Sequence, residues 1–167
     1  MNIREEQPDD VAQIRRVNLA AFETNTEADL VDALRRDAAP IISLVAEEDG
    51  NIVGHILFSP ATLVADPKLS LMGLAPMAVI PARQRAGIGS RLVVEGIERC
   101  TRADVKAVVV LGHADYYPRF GFVPASELSL GCEYDVPANA FLVRELQDGA
   151  LKGLSGTIRY HPIFAKF

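Results

Sequence analysis

Two glycines one residue apart, Gly87 and Gly89, stand at the head of an amphipathic run that reads as a helix over residues 87–102. A helix start leaves its first backbone N–H groups unpaired and carries roughly half a positive charge. Glycine adds a tight turn and lets bare backbone approach a bound group. The combination is an anion site. Charge points the same way. From Asp66 to Glu95 there is no intervening acidic residue, whereas Lys68, Arg83, Arg85 and Arg91 are all basic. The segment Gln84-Arg85-Ala86-Gly87-Ile88-Gly89-Ser90 lacks the Gly-Lys-Ser/Thr ending of a nucleotide-triphosphate loop. It also lacks the third glycine of a dinucleotide fingerprint. The expected anion is therefore a phosphate held by backbone amides.

A second chemical signal is Tyr117-Pro118-Arg119-Phe120-Gly121-Phe122. A phenol with an unperturbed pKa near 10 keeps its proton at pH 7 and can give it to a leaving group. Tyr116 beside it reads as a structural residue or a wall of the site. Among possible bases, His55 lies in a strand run with Val53 and Leu57, so alternation puts the three on one face. His113 follows a continuous apolar strand, at the end where α/β proteins place their sites. Cys100 and Cys132 form neither a Cys-x-x-Cys pair nor a Cys/His cluster, and no metal site is expected.

The elements that must position these groups follow from periodicity. Residues 2–6 read as a strand. Pro8, with Asp9 and Asp10 in the first turn, opens an amphipathic helix over 8–22, and a second spans 26–37 before Pro40. Two β-rich runs then flank Glu48-Asp49-Gly50-Asn51, a hairpin signal. A third strand over 70–80 is interrupted by Pro76, which cannot donate to a ladder and predicts a bulge or splay. In the helix that comes next, Ile88, Leu92, Val93, Ile97 and Cys100 form the apolar stripe. Residues 105–112 read as a strand buried on both faces. The tail offers strand candidates at "AFLVREL" and "SGTIRYHP", which either close the sheet within one chain or pair across a dimer.

At 167 residues the chain fits one domain. A net charge of −5 argues against a nucleic-acid or anionic-membrane surface as the main partner. The polar start "MNIREEQPDD" has no signal-peptide core and no apolar run is long enough to span a bilayer, so a cytoplasmic location is expected.

Gln84-x-x-Gly87-x-Gly89 resembles the coenzyme A signature of the GNAT N-acetyltransferase superfamily, and Tyr117-x-x-x-Gly121-Phe122 resembles that family's second motif. The order of elements is similar as well, over about residues 2–124. "LGHADYYPRFGF" and the pattern from Tyr160 to Phe164 further resemble its YhbS-like bacterial branch. The resemblance implies a mixed α/β fold with a mostly antiparallel, splayed central sheet and flanking helices. It further implies one acetyltransferase domain over 1–167, with a core of about 2–124 and a strand-rich extension over 125–167.

Acetyl-CoA is the implied cosubstrate, with no metal. Gln84 and the amides of Arg85, Ala86, Gly87, Ile88, Gly89 and Ser90 would face its pyrophosphate, and Met77, Ala78 and Val79 its pantetheine arm. A backbone N–H near Val79 would polarise the thioester carbonyl. Tyr117 takes the position of the family's proton donor. Glu27, and less so Glu23, lie where the family builds its acceptor pocket and join His55 as base candidates. His113 stands where the family often has asparagine, as a cofactor contact. The implied acceptor is a primary amine of a small molecule or peptide, and the implied state is monomer or homodimer. The rival expectation is a non-catalytic acyl-CoA-binding sensor with the same fold.

Overall fold

The computed structural model describes all 167 residues. The order is β1 (Asn2–Glu5), α1 (Val11–Ala21), α2 (Thr26–Asp37), β2 (Ile42–Glu48), β3 (Asn51–Leu63), β4 (Asp66–Val79), α3 (Ile88–Arg102), β5 (Ala107–Leu111), β6 (Val123–Pro124), β7 (Leu130–Cys132), β8 (Phe141–Glu145) and β9 (Gly156–Arg159). Residues 8–10 form a separate single turn ahead of α1, a refinement of the helix expected from Pro8. There Asp10 accepts from the Gln7 amide and from both terminal nitrogens of Arg4. The Arg4 bonds hold its carboxyl below the usual range, against the opposing push of burial. The hairpin strands β3 and β4 run longer than expected, to Leu63 and from Asp66.

The strands form a sheet in the order β1-β2-β3-β4-β5-β8-β6, with β9 paired to the far end of β3 and β7 beside β9. Most ladders are antiparallel; β4–β5 and β7–β9 are parallel. The tail closes the sheet within the chain, because β8 pairs with β5 along its length. No helix is long and apolar enough to cross a membrane.

Alternation along the strands builds three apolar layers. Ile56, Phe58, Met72 and Leu74 meet α3 through Ile88, Leu92, Val93, Ile97 and Cys100 on one face. On the other, Val45, Leu57 and Ala78 meet α1 and α2 through Ile14, Val17, Val31 and Leu34. Further along that second face, Leu71, Val109 and Val143 meet the tail through Ile158 and Tyr160. Gly96 explains how closely α3 can approach, since any side chain there would run into the Phe58 ring.

Two irregularities set the facing of the strands and open the sheet. The first is a register shift after Ala46, which pairs with Gly54 while Glu47 pairs with Ile52, leaving Val53 as the extra residue. Val53 consequently packs in the α3 layer. The expectation that it shares a face with His55 is corrected; only Leu57 does. The second lies on β4. Ile56 pairs with Met77 and Phe58 with Leu74, so Ala75 and Pro76 together oppose Leu57. The β4–β5 ladder ends at Leu74↔Val110, immediately before this bulge. Beyond it Met77, Ala78 and Val79 stay paired to β3 and have no neighbour on the β5 side. The sheet is open there, as Pro76 predicts.

Candidate active site

The open end of β4 leads into the loop before α3. Arg85 (φ 63°) and Gly87 (φ 83°) are left-handed, and Gly87 caps the helix without a side-chain bond. Arg91 makes the first α3 bond to Gly87 at 3.1 Å, and the N–H groups of Arg85 through Ser90 find no backbone acceptor. Left-handed residues in such a loop turn successive N–H groups toward one concavity, an anion nest, here at the positive end of a helix dipole. Gly87 is needed for its conformation. A Cβ at Gly89 would sit 3.3 Å from the Tyr116 hydroxyl and 3.5 Å from Met77 Cε.

The concavity is a cleft of about 390 Å³ lined by Val79, Arg83, Gln84, Arg85, the helix start, Tyr116 and Arg119. Its charges differ from the sequence reading. Arg83 is committed to Glu48 through two bonds of 2.8 Å. Gln84 turns its side-chain amide back onto the Val79 carbonyl at 2.9 Å, fixing the loop to the end of β4. Arg119, 28 positions beyond Arg91, lines the cleft together with Arg85. Its guanidinium carbon lies 4.6 Å from the Tyr116 ring centroid, and Nε donates to the Tyr116 carbonyl at 2.9 Å. The Tyr116 hydroxyl in turn lies 3.1 Å from Ser90 Oγ. Sequence reasoning left Arg119 out because it counted charge only near the glycines. The signal was present within the Tyr-x-x-x-Gly-Phe segment itself.

The two adjacent tyrosines diverge. Tyr116 faces the cleft, whereas the Tyr117 ring turns into the α3 layer against Phe122, 5.6 Å between centroids. Gly112 permits this; any side chain at that position would strike the Tyr117 ring. Tyr117 is only 8% exposed, and its hydroxyl is not among the chain's sealed polar atoms without a partner. Burial, with a smaller contribution from Tyr116, pushes its phenol up to about 12. It holds its proton throughout the neutral range.

His55 is not brought to the cleft. It is fully buried between β2 and α1, with Nε2 2.8 Å from Ser43 Oγ and Nδ1 3.4 Å from Asn18 Nδ2. Ser43 donates onward to Glu6 at 2.6 Å, so its oxygen must accept from His55 Nε2–H. Arg35 completes the chain with two bonds to Glu6. Burial pushes His55 down to about 4, only partly offset by Glu6. With both nitrogens engaged and no access, His55 cannot take a proton from a substrate; the expectation of a base there is corrected. His113 is exposed, outside the cleft lining, and its carbonyl accepts from the amides of Tyr116 and Tyr117. It starts the turn that carries the tyrosines. Glu23 is exposed. Glu27 is half-buried in the first turn of α2, and its Oε2 is sealed with no hydrogen-bond partner.

A loop of acceptor-free amides at the mouth of a splayed strand is what the resemblance to acetyltransferases implies. Residues 40–124 match the acetyltransferase (GNAT) domain, and the chain belongs to the GNAT family of N-acetyltransferases. Over its full length it is 37% identical to the uncharacterized N-acetyltransferase YhbS of Escherichia coli K12, which it covers completely. A second relative in that organism, the uncharacterized N-acetyltransferase YjhQ, is 46% identical over 132 residues, 77% of this chain and 73% of the relative. The solved structure of E. coli YhbS in complex with CoA superposes with a TM-score of 0.93 at 36% identity, covering 99% of this chain and 92% of that one. A GNAT family acetyltransferase from Brucella melitensis in complex with acetyl-CoA gives 0.80 at 37% identity, covering 98% and 97%.

Proposed function

We propose that this chain transfers an acetyl group from acetyl-CoA to a primary amine of a small molecule or peptide, by direct attack. The observation that carries the reading is the junction of the unpaired Met77–Val79 edge with the acceptor-free N–H groups of Arg85–Ser90. The second suits a pyrophosphate; the first suits an extended amide-bearing arm that adds to the sheet like a strand. Relatives of the same fold hold CoA and acetyl-CoA.

Acetyl-CoA supplies the acyl group and a thiolate leaving group. In this reading a backbone N–H on the open edge of β4 polarises the acyl carbonyl. Tyr117, whose ring lies in the α3 layer but whose hydroxyl is not a sealed, partnerless atom, donates in this reading to the departing sulfur. With burial holding its phenol up at about 12, proton transfer to a thiolate is uphill by itself. Its transfer becomes favourable when the attacking nitrogen, acidified by acylation, returns a proton to the phenolate. The balance then closes: nitrogen gains the acyl group and loses one proton, and sulfur gains one. Glu27, the half-buried carboxylate in the first turn of α2, is the acceptor-side carboxylate in this reading.

The test is thiol release from acetyl-CoA across polyamines, aminoglycosides, amino acids and peptide N-termini. Acceptor-dependent release with at least one class is expected. Tight CoA binding with no release above the acceptor-free rate for any class would overturn catalysis in favour of an acyl-CoA sensor.

A further inference from the structure

Where β4 and β5 part, aromatic rings cover the sheet from both faces. Tyr117 packs on Gly112 from the α3 side. From the opposite side comes Tyr160, contributed by the C-terminal extension and 5% exposed. Its ring covers Gly73, where any side chain would collide with it. Gly73 pairs with Val109, the penultimate β4–β5 rung before the strands separate. The Tyr160 hydroxyl extends to the Leu111 backbone, the first β5 position past the last rung, yet makes no bond of normal geometry. The ring thus spans from β4 to β5 at the point where the sheet opens.

Three contacts hold it there. Its backbone amide donates to Glu133 at 2.9 Å, and Phe164 packs on the ring with 5.0 Å between centroids. The absent side chain at Gly73 provides the seat. Ser59, directly opposite Gly73 in the β3–β4 ladder and therefore on the same face, has a sealed hydroxyl that also lacks a partner. A sealed hydroxyl without a partner costs about 1–3 kcal/mol, and Ser59 carries one beneath this glycine.

On the seating proposed above, an arm that entered over Arg85–Ser90 and followed the open edge of β4 past the Ala75-Pro76 bulge would end beside Leu74 and Leu111. We infer that Tyr160 forms the floor of the acyl pocket and limits the donor to a short acyl group. This inference rests on the seating of CoA proposed above. The C-terminal extension is then part of the reaction centre and decides which acyl-CoA is used.

Binding calorimetry with CoA, acetyl-CoA, butyryl-CoA and hexanoyl-CoA separates the two readings. Wild type should bind hexanoyl-CoA at least about tenfold more weakly than acetyl-CoA, the least discrimination one surplus methylene brings in a closed pocket. Tyr160→Ala should remove that difference, and Tyr160→Phe should retain it because the ring is unchanged. Should Tyr160→Ala fail to fold by circular dichroism, Tyr160→Leu replaces it and should relax the limit in the same direction. The inference falls if wild type accepts hexanoyl-CoA as readily as acetyl-CoA, or if the shortened variant still rejects it. Failure of wild type to bind CoA itself would overturn the cofactor seating instead.

Discussion

A glutamate at position 89 should separate cofactor affinity from fold stability. Gly89 is in the first turn of α3, and its Cβ would be 3.3 Å from the Tyr116 hydroxyl, a contact small rotations can relieve. For the isolated fold a carboxylate there is favourable, since an anion near a helix N-terminus contributes about 0.3–1 kcal/mol. Replacing helical glycine adds up to about 1 kcal/mol. For a bound pyrophosphate the same charge is hostile. Two unit charges about 4 Å apart near a protein surface repel by about 4 kcal/mol, which corresponds to roughly a thousandfold in Kd. Screening at this open loop brings the expected loss to about a hundredfold or more. Gly89→Ala is the control, carrying the steric change without the charge. Calorimetry with CoA should give a much weaker Kd for Gly89→Glu than for Gly89→Ala, while thermal melts show both at least as stable as wild type. Equal affinities in two folded variants would refute the anion cradle.

Tyr117→Phe should lower kcat in thiol release by about a hundredfold, within the usual range for a lost proton donor, with CoA affinity unchanged; equal turnover would remove Tyr117 from that role. Arg119→Ala should weaken CoA binding about tenfold, as expected for a lost charged hydrogen bond. Arg83→Ala, whose charge is already engaged by Glu48, should stay within about twofold of wild type. A reversed order would return the electrostatic role to Arg83. His55, depressed to about 4 against about 6.5 in the unfolded chain, predicts stability that falls as pH drops through that interval. The unfolded state then binds the proton the folded state refuses, with a ceiling of about 3 kcal/mol. Glu6 and Asp10, held below their usual ranges, add their own loss only at lower pH. Chemical denaturation from pH 7 to 5 should show the slope in wild type and not in His55→Gln.

The fold was legible because local and global signals coincide. The span of α2, the apolar stripe of α3 and the Asp49-Gly50 turn are each written in consecutive residues. Pro76 announced the splay for the same reason. The misplacement of Val53 came from a bulge, since one extra residue inverts every facing upstream and leaves no mark in composition. His55 illustrates another limit. Its engagement depends on Glu6, Asn18, Arg35 and Ser43, which arrive from four separate segments. Tyr160 is similar, since its importance follows from meeting Gly73, 87 positions earlier in the chain. Groups assembled by long-range packing cannot be ranked from spacing alone.

The split between β4 and β5 also has a bearing on the empty protein's fate. Met77 to Val79 have no strand neighbour on the β5 side, although Gln84 covers the Val79 carbonyl. The loop amides beside it exchange freely with solvent when nothing covers them. An occupant that bonds both would slow hydrogen–deuterium exchange across residues 77–90. At a hundred times its Kd it would raise resistance to unfolding by about 2.7 kcal/mol. The supply of acylated or free CoA then acts as a chaperone for this enzyme: abundance of the donor keeps the protein folded and soluble, and scarcity exposes it to aggregation and proteolysis.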